Sequence, residues 1–385
     1  MVDSLFDDIR CYNDDELQDK FDELFQNQQF LGLMPKVFPN VPLSEFIKQI
    51  KQIRSVYQFQ KNFIVPFLVD IENKTSKGVT LSGLDLLNYN SAYLFISNHR
   101  DIVLDSALLN IHLLLEGMNT SEIAIGNNLL VYPWIEDLVR INKSFIVRRD
   151  ASIREQIKIS THLSEYIRYV LTKKPQSVWL AQREGRAKDG NDKTQPAIIK
   201  MLQMSGSGSF SEKLRELNIV PLTINYEYDS CDFLKAKELQ QKRDDENFKK
   251  SQQDDLFSME TGMMGIKGRI SFCISEPLNN ILQNASLDSL MAKDQAAYVA
   301  SLIDEQIYKN YRLYEGNYVA ADLLSGENRF SSKYTEAEKN VFLDYVQKQL
   351  DKIQLENKDE EFLREKIYCI YANPVFNQEI ALNKK

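Results

Sequence analysis

Ser91–Asp105 reads SAYLFISNHRDIVLD: an apolar run, an abrupt polar quartet Asn98-His99-Arg100-Asp101, then a second apolar run around Asp105. An apolar segment bounded in this way predicts a buried strand over Ala92–Ser97, emptying into a loop and followed by a helix over Val103–Leu115. His99 is one of only three histidines in 385 residues, and it stands where that strand ends. Carboxylates follow two and six residues later, at Asp101 and Asp105. A strand end is a rigid mounting for a side chain, and the loop beyond it is where α/β proteins bind ligands. Imidazole moves protons near neutral pH, and a neighbouring carboxylate fixes its tautomer and raises its basicity. His99 is therefore the leading catalytic candidate.

Further strands are predicted on both sides of this one, at Lys77–Gly83, Glu122–Ile125, Phe145–Val147, Ser177–Ala181, Asn218–Tyr228 and Arg269–Ser275. Helical patterns separate them, including a long amphipathic one over 152–172 and a shorter one over Pro196–Met204. The alternation indicates an α/β sheet rather than a helical bundle. Before it, residues 1–75 read as helical: Leu17, Phe21, Leu24 and Phe25 share a face, as do Phe46, Ile47, Ile50 and Ile53. Helical patterns also dominate 281–385. The expected organisation is a helical N-terminal segment (1–75), an α/β domain (76–280) and a helical C-terminal segment (281–385). Within the domain, residues about 230–267 are charge-dense. They are expected to form an exposed helical insertion or lid, with a solvated spacer the favoured role.

The net charge of −8 argues against a nucleic-acid binder, which needs a broad basic surface to neutralise phosphates, though it leaves room for a local basic pocket. Cys11, Cys231, Cys273 and Cys369 show no paired spacing, so neither a zinc site nor a disulfide framework is expected. The opening Met1-Val2-Asp3 leads into acidic sequence, without the apolar core of a signal peptide. No apolar run reaches the roughly 20 residues needed to cross a bilayer. These features imply a cytoplasmic, reduced protein that meets a membrane only from its surface.

Two more polar clusters follow predicted strands: Arg148-Arg149, and Arg183-Glu184-Gly185-Arg186-Ala187-Lys188. A fourth feature is Pro221, inside an apolar strand where proline is normally confined to edges and bulges. A histidine–carboxylate pair beside several guanidinium groups suits one task well. The histidine deprotonates a hydroxyl of a small anionic substrate while arginines hold its phosphate, each charge-assisted contact contributing about 1.5–3 kcal/mol.

In these blocks the chain resembles the glycerophosphate and lysophosphatidate acyltransferases. The family's His-then-Asp block is matched by His99 and Asp105 in NHRDIVLD. Its Phe-Ile-x-Arg element is matched by Phe145-Ile146-Val147-Arg148, and its Glu-Gly and Arg by Arg183-Glu184-Gly185-Arg186. Its proline-bearing apolar strand is matched by Ile219-Val220-Pro221-Leu222. Order and intervals agree over roughly residues 76–280. The resemblance implies a mixed sheet flanked by helices, with helical additions at both ends. It also implies O-acyl transfer in phospholipid synthesis, from acyl-CoA or acyl carrier protein to glycerol-3-phosphate or 1-acylglycerol-3-phosphate. The protein would lie peripherally on the inner face of the membrane, and neither cofactor nor metal is required. On this reading His99 is the general base and Asp105 orients it. Arg148 and Arg186, with Arg149 and Arg183 beside them, bind the acceptor's phosphate. Glu184 and Gly185 shape that pocket, and Pro221 helps form the acyl or thioester site.

The chain departs from the family pattern in three places. Five residues rather than four separate His99 from Asp105, which in an ideal helix turns the carboxylate by about 100°. Asp101 is thus a rival orienting acid, or alternatively the cap of the following helix. Ala181-Gln182-Arg183 replaces the usual aromatic-Pro before Glu-Gly, a form closer to the glycerol-3-phosphate branch. Asn142-Lys143-Ser144 lacks the glycine of the second block. Alternatives are a non-phosphate lysolipid acceptor, or a non-catalytic lipid- or carrier-binding protein on the same scaffold. His112 reads as a packed helix residue and His162 as a surface one.

Overall fold

The computed structural model describes residues 3–149, 153–284 and 287–383. The N-terminal segment supplies α1 (Leu17–Gln26), α2 (Gln28–Val37), α3 (Leu43–Ile50) and α4 (Val65–Thr75). Leu17, Phe21 and Leu24 fall on one face of α1 and meet Phe30, Phe46, Phe59 and Phe63 in an aromatic-rich core that also takes in Ile141. Among the described residues seven strands follow: β1 (Ser76–Ser82), β2 (Leu94–Ser97), β3 (Glu122–Gly126), β4 (Ser144–Val147), β5 (Val178–Ala181), β6 (Ile219–Tyr226) and β7 (Gly268–Ile274). Each lies on a segment read as a strand from the sequence. They form one sheet in the order β1-β7-β6-β2-β5-β3-β4. Only β6 and β7 are antiparallel, so the sheet is mixed.

Between the strands run α5 (Leu104–Leu115), α6 (Pro133–Ile141), α7 (Ile153–Thr172) and α8 (Pro196–Leu202). Strands β2 and β6 are buried on both faces, and for that reason they read as continuous apolar runs rather than as alternating ones. Leu94, Ile96, Val178 and Leu180 pack on one face against Ile167 and Val170 of α7 and Ile199 of α8. Phe95, Trp179, Val220 and Leu222 pack on the other, against Leu68 and Ile71 of α4 and Leu104 and Leu108 of α5.

The charged stretch after β6 forms α9 (Asp232–Asp244) and α10 (Gln252–Met264). The helices α11 (Ala292–Lys309), α12 (Glu315–Ser325), α13 (Glu336–Asp351) and α14 (Glu360–Asn383) complete the fold. The expectation of a solvated spacer fails for α9. Phe233 and Ala236 share a core with Val319, Val346, Ile367 and Tyr371 of the C-terminal helices, and Asp232, Lys235 and Glu238 are buried. A charge-rich helix can be interior when each buried charge finds a partner. Asp232 accepts from Tyr345 (2.6 Å) and Tyr371 (2.7 Å), and Glu238 holds Lys188 and Lys242 at 2.8 Å. Helix α10 is more exposed. It lies against α4 and the Asn127–Leu129 turn, and its Gly262 is pressed so closely on Asp101 that a Cβ there would sit 2.0 Å from Oδ2.

Candidate active site

Strand β2 delivers Asn98 and His99 to the sheet rim, and strand alternation sends them to opposite faces. Asn98 is fully buried. Its Oδ1 accepts from Ile224 N (2.8 Å), while Nδ2 donates to Ile224 O (2.8 Å) and to Asp192 (3.3 Å). The amide thus continues the bonding to β6 where the backbone of β2 leaves the sheet. His99 turns to the α5 face and meets Trp179 edge-on, ring centroids 5.8 Å apart at 69°. Its side chain is 13 % exposed.

Asp105, fully buried in the first turn of α5, gathers four donors. Its Oδ2 accepts from His99 Nδ1 (2.8 Å), Arg100 N (2.6 Å) and Asp101 N (3.1 Å), and its Oδ1 from the Tyr226 hydroxyl (3.1 Å). An acceptor-only carboxylate opposite Nδ1 places the proton on that nitrogen and leaves the lone pair on Nε2. Asp101 has another task. Its Oδ1 accepts from Val103 N (2.9 Å) and Leu104 N (2.8 Å), which caps α5. Burial first, and the Asp105 charge second, hold the Asp101 carboxyl above the usual range. The extra residue between His99 and Asp105 is absorbed because the helix starts only at Leu104, after a turn at Ile102-Val103.

The loop carrying His99 is anchored from behind. Arg100 pairs with Asp192 at 2.7 Å, and the Tyr311 hydroxyl donates to the same Asp192 oxygen at 2.7 Å. The Arg100 carbonyl accepts from Lys235 Nζ of α9 (3.1 Å), which also pairs with Asp229. Burial alone would raise the Asp229 carboxyl, but the Lys235 ammonium holds it below the usual range.

The arginines are not brought to one point. Strand β4 is three strands from β2 in the sheet, about 14 Å at ordinary strand spacing. Arg148, at its end, has a side chain 51 % exposed and pairs with Asp8 at 3.4 Å. Arg149 instead reaches Glu184 (3.3 Å), whose side chain is 67 % exposed. Gly185 takes a left-handed backbone (φ 66°) in that loop. Arg186 is buried, with Nη1 lacking a hydrogen-bond partner among the described residues, as does Nε of half-buried Arg183. Burial opposes the Arg186 charge, while Cys231, Asp101 and Asp229 nearby favour it and keep the guanidinium protonated.

Pro221 lies in the interior strand β6, level with Ile96 and so behind the His99 loop. It is tolerated there because Ser275 N donates to its carbonyl (3.0 Å) at the last pair of the β6/β7 ladder, where the donor it lacks is least needed. Sequence reasoning did not assign Asn98, Tyr226, Asp192 or Lys235 to the site. Asn98 stands beside His99 in the quoted quartet, whereas the others lie far away in sequence. Among the described residues no group of three or more His, Cys, Asp and Glu side chains is placed to hold a metal ion.

No family model matches the sequence, and no curated protein matches it. Among solved structures the chain is similar to the 1-acyl-sn-glycerophosphate (LPA) acyltransferase PlsC from Thermotoga maritima. The similarity covers 74% of this chain and 91% of that one, at 13% identity and a TM-score of 0.34, too loose a superposition to carry function.

Proposed function

We propose that the protein is an O-acyltransferase that moves a fatty acyl group from a thioester, acyl-CoA or acyl carrier protein, to a hydroxyl of glycerol-3-phosphate or 1-acylglycerol-3-phosphate. The observation that carries this reading is the His99 Nδ1–Asp105 contact of 2.8 Å, with Asp105 itself fixed by Tyr226 and two backbone N–H groups. His99 Nε2 takes the acceptor's proton, and the oxygen attacks the thioester carbonyl carbon. The tetrahedral intermediate collapses with cleavage of the C–S bond, and the imidazolium returns the proton to the departing thiolate. A thiol leaves readily, so positioning plus one proton transfer is sufficient, and a general base of this kind contributes roughly 10²–10⁴-fold. Arg186, next to Asp101, is the guanidinium on this reading that draws the acceptor's phosphate. Phe257, Met264 and Ile266, on and just after α10, expose apolar side chains, which suits an enzyme taking an acyl-bearing substrate at a bilayer surface. Among the described residues no helix is long and apolar enough to cross a membrane.

The test offers labelled palmitoyl-CoA and palmitoyl carrier protein with each acceptor separately, to wild type and His99→Ala. Transfer to one acceptor, reduced at least 10²-fold in the variant, supports the reading. Equal transfer by both proteins, or none by folded wild type, overturns it.

A further inference from the structure

Between α9, α10 and the loop after β5 lies a cavity of about 70 Å³. Its lining includes Arg186, Lys188, Lys237 and Lys250, against the carboxylates of Glu238 and Asp254. Lys235 contributes a fifth cation, already committed to Asp229 and the Arg100 carbonyl. Two of the others are shared. Lys188 pairs with Glu238 at 2.8 Å, and Lys250 with Asp255 at 2.7 Å. Lys237 has no ion-pair partner among the described residues, and Nη1 of Arg186 is buried without a hydrogen-bond partner. With Asp229, Glu238 and Asp255 taken up by the other lysines, Lys237 and the Nη1 face of Arg186 are the cationic groups around this space left without an ion pair or hydrogen bond among the described residues, and an anion in the cavity would meet both.

We propose that the charged insertion builds a phosphate-monoester site here, in which Lys188, Lys237 and Lys250 grip the phosphoryl oxygens and Arg186 backs them from the interior. Three flexible ammonium groups around one guanidinium suit a compact dianion, and the chain supplies them from two separate segments. Burial, and then the Arg186 charge, push the Lys188 ammonium down to about 8, against the pull of Glu238. The acyl-transfer reading gives the phosphate one source, the acceptor. The 3′-phosphate of a nucleotide thioester is another, and free phosphate a third. In naming a substrate contact the proposal rests on that reading, but occupancy of the cavity does not.

The test is calorimetric titration of the full chain, in chloride buffer, with inorganic phosphate, glycerol-3-phosphate and adenosine 3′,5′-bisphosphate. Wild type is compared with Lys237→Ala and Lys250→Ala. Both lysines are partly exposed, so their removal spares the core, and unfolding of the unliganded variants is measured alongside. Binding of at least one probe, weakened roughly tenfold by either substitution, supports the site, and the preferred probe identifies the source. Binding of none, or equal binding by wild type and both variants, overturns it. Acyl transfer is assayed on the same samples. Transfer without phosphate binding removes the site alone, and binding without transfer removes the enzymatic reading alone.

Discussion

The Tyr226 hydroxyl donates to Asp105 Oδ1 at 3.1 Å, on the side of the carboxylate opposite the oxygen that holds His99. Tyr226 lies two residues before the end of the strand predicted at Asn218–Tyr228 and is the last residue of β6. It thereby links β6 to the first turn of α5 through one carboxylate. Tyr226→Phe keeps the ring and removes the donor. Stability is expected to fall by about 1 kcal/mol, measured by urea unfolding. The turnover rate should fall about tenfold with little change in KM, because the loosened Asp105 no longer holds the imidazole in one orientation. A raised KM at unchanged turnover would count against a positioning role.

Asp105 and Asp101 should separate cleanly. Asp105→Asn weakens the acceptor opposite His99 Nδ1 and is expected to lower the transfer rate by at least 10²-fold. Asp101→Ala removes the α5 cap, with a loss of about 1 kcal/mol in stability and a much smaller effect on rate. Steady-state rates together with thermal unfolding of the two variants check the division.

Gly262 has no space for a methyl group, since its Cβ would lie 2.0 Å from Asp101 Oδ2. Gly262→Ala is expected to displace α10 from the His99 loop, destabilising the protein by about 1–3 kcal/mol and reducing transfer. Accelerated hydrogen exchange at residues 252–264 would locate the effect. Unchanged exchange with normal activity would contradict it.

Asp232 lies fully buried under Tyr345 and Tyr371, and burial first, with the Asp229 charge behind it, raises its carboxyl to about 6. A folded-state value above the unfolded one means that the native protein binds this proton more tightly. Its stabilising contribution is therefore full at low pH and is lost as pH rises through about 6. Asp232→Asn removes that dependence, so the variant should gain about 1 kcal/mol on wild type between pH 5 and 7.5. Urea unfolding at both values reads the difference directly, and a constant gap would contradict the assignment.

Among the described residues Arg148 shares only a solvent-exposed ion pair, with Asp8. Arg148→Ala is expected to leave stability within about 0.5 kcal/mol and transfer within about twofold. A large rise in the acceptor's KM would instead return this arginine to the phosphate.

The strands were legible because interior strands must be apolar on both faces, and this chain marks their ends with polar clusters at Asn98, Arg148 and Arg183. His99 was legible for the same reason. The choice between Asp101 and Asp105 was not, because spacing alone cannot say where a helix begins. Tyr226 and Lys235 left no local signature, since each reaches the loop by tertiary packing. The first helix of the insertion, α9, was misread because charge density looks solvated in sequence. Only the fold shows that Asp232 is met by tyrosines and Lys235 by Asp229 and a carbonyl.

Arg100 depends on Asp192 and Lys235, and Asp192 in turn on Tyr311. A ribosome finishes β2 long before it reaches any of them. The His99 loop therefore emerges without its anchors, and a nascent chain holds this histidine unset until Asp192, Lys235 and Tyr311 have been made and have packed behind it. The order of synthesis thus runs ahead of the order of assembly: the loop that carries His99 is made early and can be fixed only once Tyr311 has followed.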